Sequence, residues 1–240
     1  EQSELRNIKC EVGIRIYSLK EDPENPKFLG YWDCGVPHSI GVHRFMYNGG
    51  RYVYLSCEAE RFEGMIMRIV DIADPTHPVE VGNWWSPEQF VDGYPGRTVD
   101  HTAAHVPAFM DKGWMHGPPY VREDGLCFCG YCGDGLYILD VNDVTRPKCV
   151  GNLRLQPVFS SHLAGARTHT ALPLPGRDLV VVTNEGERFQ FFPPGSITEA
   201  QALNNIHMID VRDPSKPTLI AEFPYPEVPK DFPYPNFNVM

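Results

Sequence analysis

Residues 67–84 read MRIVDIADPTHPVEVGNW. A short apolar run, a turn and a second apolar run follow within eighteen residues. The turn is Asp74-Pro75-Thr76-His77-Pro78. An Asp side chain accepts hydrogen bonds from backbone amides two residues on, and Pro pre-sets φ for a turn. The second Pro starts an outer strand, where its missing N–H is tolerated at an edge. The segment therefore predicts two antiparallel strands around a rigid turn.

The pattern occurs three more times: IRIYSLKEDPENPKFLGYW from Ile14, LYILDVNDVTRPKCVGNL from Leu136 and IHMIDVRDPSKPTLIAEF from Ile206. The turn aspartates are Asp22, Asp74, Asp143 and Asp213, at spacings of 52, 69 and 70 residues. The third copy has Val144 for the first Pro and keeps Pro147. Upstream segments repeat as well. IGVHRFMYNGGRYVYLSCEAERF (40–62) matches ARTHTALPLPGRDLVVVTNEGERF (166–189), and VDHTAAHVPAFM (99–110) with GLCFCGYCGDG (125–135) lies between them. Each unit thus predicts an inner strand bearing a His, a hairpin, a second strand, and the repeated pair. Four strands per unit make a propeller blade. The spacings exceed the roughly 40–50 residues of common propeller repeats, so insertions are expected.

The count gives an all-β propeller of about three and a half blades in one domain, 1–240. A partial blade covers 1–35, whole blades cover about 36–95, 96–160 and 161–225, and a Pro-rich tail covers 226–240. A ring takes roughly 4–8 blades. The expectation is a ring completed by a second chain, a second copy of this chain, or further sequence.

The pattern Ile/Leu-x-Ile-x-Asp-Val-x-Asp-Pro-x-x-Pro resembles the LVIVD-repeat β-propellers. The resemblance covers nearly the whole chain and implies the fold. It implies little about activity, because one fold serves many functions.

Composition narrows the partners. Lys and Arg total 21 against 31 Asp and Glu, a net charge of −10. Phosphate binding needs clustered cations, so a nucleic-acid partner is disfavoured, and so is an anionic membrane surface. No run approaches the roughly 18 apolar residues of a membrane span. The first thirteen residues are polar and contain no apolar leader core. The seven cysteines (Cys10, Cys34, Cys57, Cys127, Cys129, Cys132 and Cys149) are odd in number, and several lie in strand-like runs. That points to reduced, buried thiols and a cytoplasmic protein.

Inner strands line a propeller's central channel. His43, His101 and His169 fall at matching places in them. Imidazole suits Fe, Cu, Zn or Ni, so these three are the expected metal ligands. The competing reading is that each His fastens its strand to a neighbouring blade. His38, His105 and His162 lie close by in sequence. His105 and His162 are candidate proton carriers, since His titrates nearest neutrality. Glu58 and Glu185 open two copies of Glu-x-Glu-Arg-Phe at the exits of second strands. Each is a candidate to orient a ligand His or act as general base. Arg61 and Arg188 read as clamps on a carboxylate of the adjacent blade.

The middle blade has Cys127-Phe128-Cys129-Gly130-Tyr131-Cys132 instead of Glu-x-Glu. A lone C-x-C-x-x-C reads as core cysteines rather than a thiolate site. Residues 107–124, with Trp114, Met115, His116 and Tyr120, are expected to join the first two strands of this blade. Ser196 with Glu199 forms a capping box and predicts a short helix. A third aromatic loop runs from Trp84 and Trp85 to Tyr94. His77 and His207 read as peripheral. The sum is a metal-dependent enzyme, oxidoreductase or hydrolase/lyase, with a small organic substrate at the axis. The alternative is a non-catalytic, protein-binding scaffold.

Overall fold

Oδ1 of Asp22, Asp74, Asp143 and Asp213 accepts the backbone N–H of the residue two further on, at 3.0, 3.0, 3.1 and 3.1 Å. The hydroxyls of Thr76, Thr145 and Ser215 donate to the same oxygens at 2.6 Å. The turn chemistry thus holds in all four copies, including the one lacking its first Pro.

The computed structural model describes residues 11–36, 39, 41–91, 114–155, 167–185 and 206–223, with Arg167 and Glu185 by backbone alone. These contain fourteen strands and no helix. β1 (Gly13–Ser18) pairs with β2 (Lys27–Asp33) as a half-blade. The first whole blade is β3 (Val42–Met46), β4 (Tyr52–Glu58), β5 (Met65–Asp71) and β6 (Val79–Trp84). The middle blade is β7 (Tyr120–Val121), β8 (Leu126–Tyr131), β9 (Gly135–Asp140) and β10 (Lys148–Leu153). The last is β11 (Arg167–Pro173), β12 (Leu179–Glu185), β13 (Ile206–Asp210) and β14 (Thr218–Glu222). Every pair is antiparallel and every sheet is a simple meander. Three blades and a half do not close a ring.

One element differs from the sequence reading. Residues 107–124 are not a link between the first two strands of the middle blade, because their end supplies the first strand. β7 pairs directly with β8 through a tight turn in which the Gly125 amide donates to Arg122 O at 3.0 Å. Gly125 has φ +80°, a conformation that disfavours any side chain. The strand beside β8 is therefore Tyr120–Val121, and His101-Thr102-Ala103, expected on an inner strand, lies outside the described residues. The capping box and its helix lie outside the described residues.

Alternation along each strand sends side chains to two neighbours. Trp32 and Cys34 of the half-blade meet Val53, Leu55, Cys57 and Val70 of the first blade. Met67 and Ile69 meet Cys127, Cys129 and Leu139. Phe128, Leu136 and Ile138 meet Ala171, Val180, Val182 and Ile209. Each fully buried large apolar side chain contributes about 1.5–3 kcal/mol, so these three seams carry the fold.

A second contact repeats beside each seam. The fourth strand bulges and then presents Gly30, Gly82 or Gly151 opposite Ile16, Ile69 or Ile138. A Cβ there would come within 2.3 Å of Pro75 O, 1.9 Å of Val144 O and 2.1 Å of Pro214 O. Each of these carbonyls belongs to the Asp turn of the next blade. Blades are thus stacked by seating each turn on a bare backbone. At the same register, opposite Met208, the last blade has Ala221.

Candidate functional site

Two first strands, β3 and β11, and the segment leading into β7 bring three imidazoles together. In β3, Val42 faces Cys57 and Arg44 faces Ser56, leaving His43 on a β-bulge. In β11, Thr168 faces Asn184 and Thr170 faces Thr183, leaving His169 on the corresponding bulge. A bulge re-aims its side chain and is common beside functional sites. His43 and His169 thus occupy matching bulges with the same local geometry.

The third ring is His116, which the sequence reading passed over as part of a loop. Its chain segment runs between the first and middle blades. Met115 N–H donates to Met65 O at 2.9 Å, Ser56 Oγ donates to Met115 O at 2.9 Å, and His116 N–H donates to Gly130 O at 3.2 Å. Gly130 stands in the register position of Ser56 and Thr183. His116 therefore lies at the same level as His43 and His169. The His43 and His116 rings stack with centroids 4.7 Å apart and planes 14° from parallel. His116 and His169 meet edge to face, also at 4.7 Å. Trp114 packs against His116 at 4.9 Å.

Two glycines allow this approach. A Cβ on Gly117 or Gly130 would lie 1.9 or 2.0 Å from His169 O. Any side chain at either place would push β11 off the middle blade. Nε2 of His43, Nε2 of His169 and Nδ1 of His116 are all buried. His169 Nδ1 lies 2.7 Å from Thr170 Oγ1. Imidazole is a side chain that binds transition metals and passes protons near neutral pH. Among the described residues, no group of three or more His, Cys, Asp or Glu side chains is arranged to hold a metal ion.

Glu58 ends β4 and is buried. Glu185 ends β12 at the matching register. Cys132 occupies that place in the middle blade, buried with Trp114 and Met65. Cys127 and Cys129 are fully buried with sulfurs 3.6 Å apart, and burial pushes the Cys129 thiol upward. They are core residues of the first seam between whole blades. His38, His101, His105, His162 and Arg188 lie outside the described residues.

Arg68 ties the half-blade to the first whole blade. The Arg61 guanidinium covers the Phe90 ring at 5.3 Å. Arg68 is buried in β5, ion-paired with Glu80, and donates to Cys34 O at 2.8 Å and Glu58 O at 2.9 Å. It also lies over the Trp32 ring at 4.7 Å. Glu80 and its neighbours hold the Arg68 pKa above its ordinary value against the effect of burial. The residue whose carbonyl Arg68 holds is Glu58, so the half-blade and the site share one buried cation. His207 is buried in β13 beside Glu222 at 3.3 Å, and burial holds its pKa below the ordinary value.

At the far end of the same first strands, the hairpins of three blades surround a groove of about 660 Å³. Met46, Tyr120, Arg122, Leu172, Arg177 and Asp178 are among its lining residues. Arg122 pairs there with Asp124 at 2.7 Å and Asp178 at 3.6 Å. That volume suits a small ligand.

A model of the LVIVD repeat matches residues 63–85, which contain β5, the Asp74 turn and β6. The expected repeat is thus present. No curated protein matches the chain by sequence. Among solved structures, the chain is similar to a periplasmic gluconolactonase, PpgL, of Pseudomonas aeruginosa. Identity is 10% and the TM-score 0.46, over 87% of this chain and 63% of that one. It is also similar to a protein from Lactobacillus plantarum, at 12% identity and TM-score 0.47, over 88% and 64%. The chain spans less than two thirds of the length of either.

Proposed function

We propose that this propeller is a metal-dependent enzyme whose centre is the cluster of His43, His116 and His169, acting on a small organic molecule at the axis. The observation that carries the reading is the pair of 4.7 Å spacings between rings from three blades. Imidazoles sharing one ion at a metal–nitrogen distance of roughly 2.0–2.1 Å have centroids roughly 4.5–5.2 Å apart. Rotation about Cβ–Cγ turns the ring nitrogens and leaves the centroids nearly in place. The rings are therefore already spaced for an ion, and turning them supplies the convergence. Once bound, a redox-active metal supplies electron transfer, and a zinc-like metal supplies Lewis acidity and an activated water. Glu58, Glu185, His105 and His162 are proposed to orient ligands and carry protons, and His101 to join the ligand set.

A second reading has its own observation. The near-parallel stack of His43 on His116 also suits a purely structural ring cluster in a scaffold propeller. Titration with Co(II), read by its visible absorption, separates the two. The enzyme reading expects one Co(II) per chain with intense d–d bands, and their loss in His116→Ala. Absence of bands in the wild type, with His116→Ala lowering only the melting temperature, would sink it.

We further propose that a second chain completes the ring by stacking a blade on β11–β14. Ile206, Met208 and Val181 correspond to Leu136, Ile138 and Phe128, which the next blade buries. In the last blade the three are only partly buried, and Leu172 beside Val181 is 43% exposed. Ala221 opposes the turn of a second copy, which favours a chain of different sequence. The mass of the native particle tests this: a heteromer is expected, and a homodimer contradicts it.

A further inference from the structure

Two cysteines outside the His cluster face each other across the first seam. Cys34 follows β2 of the half-blade, and Cys57 lies in β4 of the first whole blade. Both are free and buried, packed in one core cluster with Trp32, Val53 and Leu55. One guanidinium nitrogen serves both: Arg68 Nη1 is 2.8 Å from Cys34 O and 3.9 Å from Cys57 Sγ. Cys57 Sγ in turn lies 3.6 Å from Gly41 O. The two sulfurs are not equivalent. The hydrogen bond from Cys57 holds the Cys34 thiol down to about 6, helped by the Val36 amide, the Ser39 hydroxyl and the Arg68 charge against the cost of burial. The same contact and burial push the Cys57 thiol upward. Cys34 is thus the more acidic thiol and Cys57 the one that holds its proton more tightly, the division of labour that thiol chemistry requires. Cys34 keeps 3% of its exposure and Cys57 none, so Cys34 is the more accessible of the two.

We propose that Cys34 and Cys57 form a redox pair, oxidised by a hydroperoxide to a disulfide that staples the half-blade to the first whole blade. The Cys34 sulfur attacks the outer oxygen of the peroxide, the O–O bond breaks, and the leaving oxygen departs as water or an alcohol after taking a proton. Cys34 is then a sulfenic acid. The Cys57 sulfur attacks the Cys34 sulfur, the S–S bond forms, the S–O bond breaks, and water leaves with the Cys57 proton. One peroxide is reduced by two electrons and two thiols are oxidised by two. A thiol reductant restores the pair. The bond would join elements held at present by the apolar seam and by Arg68. It also adjoins the site, because Cys57 pairs with Val42, next to His43, and precedes Glu58.

The test uses the whole chain, reduced and then treated with one equivalent of hydrogen peroxide, trapped with N-ethylmaleimide and digested with trypsin under non-reducing conditions. The expected product is a cross-link between peptide 28–44, which holds Cys34, and peptide 52–61, which holds Cys57. Intact mass should show two fewer alkylations than the reduced protein. Cys57→Ser should leave Cys34 trapped as the sulfenic acid by dimedone, and Cys34→Ser should slow peroxide consumption at least tenfold. A cross-link confined to Cys127 and Cys129, or full alkylation after peroxide, overturns the proposal. The wild-type measurement decides even if either variant fails to fold.

Discussion

The imidazoles of His43 and His116 stack across the boundary between two blades, with centroids 4.7 Å apart and planes 14° from parallel. One comes from a bulged strand and the other from a segment laid against Met65 and Gly130. The contact has a packing role and a proposed chemical role, and a substitution that keeps the ring but removes its nitrogens separates them. His116→Phe keeps an aromatic ring but enlarges it, and overpacking of that size should lower stability by about 1–3 kcal/mol. It should weaken Co(II) binding by at least about tenfold, because loss of even an indirect ligand partner has that effect. Urea denaturation and Co(II) titration on the same preparation check both halves.

The glycine seats make a paired prediction. Gly82→Ala forces a Cβ toward Val144 O, a backbone atom that cannot swing away. Overpacking of this kind costs about 1–3 kcal/mol. Ala221→Gly at the same register of the last blade should change stability by no more than about 1 kcal/mol. Thermal unfolding of both variants should show a clear fall for Gly82→Ala alone. Equal effects would refute the seating argument.

Arg68 joins Glu80, two carbonyls and the Trp32 ring in one buried cluster. Removing one partner of a buried pair strands the other, at a cost of about 3–5 kcal/mol. Arg68→Met should therefore lower stability by that order. Arg68→Met with Glu80→Leu should recover part of the loss. Chemical denaturation of the single and double variants measures the coupling.

His207 supplies a pH dependence. Burial lowers its folded-state pKa, while Glu222 opposes the shift. In the unfolded chain the pKa is about 6.5. The unfolded state therefore binds the proton first as pH falls. Stability from this residue is complete above about pH 6.5 and declines below it, until the folded form also protonates. His207→Gln should flatten the stability profile in the interval just below about pH 6.5. An unchanged slope in that interval would contradict the assignment.

The fold was legible because its determinants are local. An Asp side chain reaches an amide two residues away, and alternation sorts each strand without help from distant sequence. His43 and His169 were legible for the same reason, since each sits in a repeated strand. His116 was not, because it belongs to a segment with no copy elsewhere in the chain. Its place is set by contacts with Met65, Ser56 and Gly130, which are remote in sequence. Tyr120 and Val121 carry no copy of the repeated His-Thr-Ala triplet, so nothing in the sequence marked them as the strand beside β8. Arg68 was hidden in another way: it stands in an outward-alternating position of an apolar strand, and only the half-blade stacked on it makes that position interior. Ala221 differs from Gly30, Gly82 and Gly151 by one methyl group, whose meaning depends on the blade that would face it.

The central claim is that three imidazoles from three blades hold a metal ion. Elemental analysis of the chain purified without added metal or chelator tests it most directly, with the triple variant His43→Ala, His116→Phe and His169→Ala alongside. The account predicts one transition-metal ion per chain in the wild type and only traces in the variant. No transition metal in the wild type, or the same content in both proteins, would contradict it.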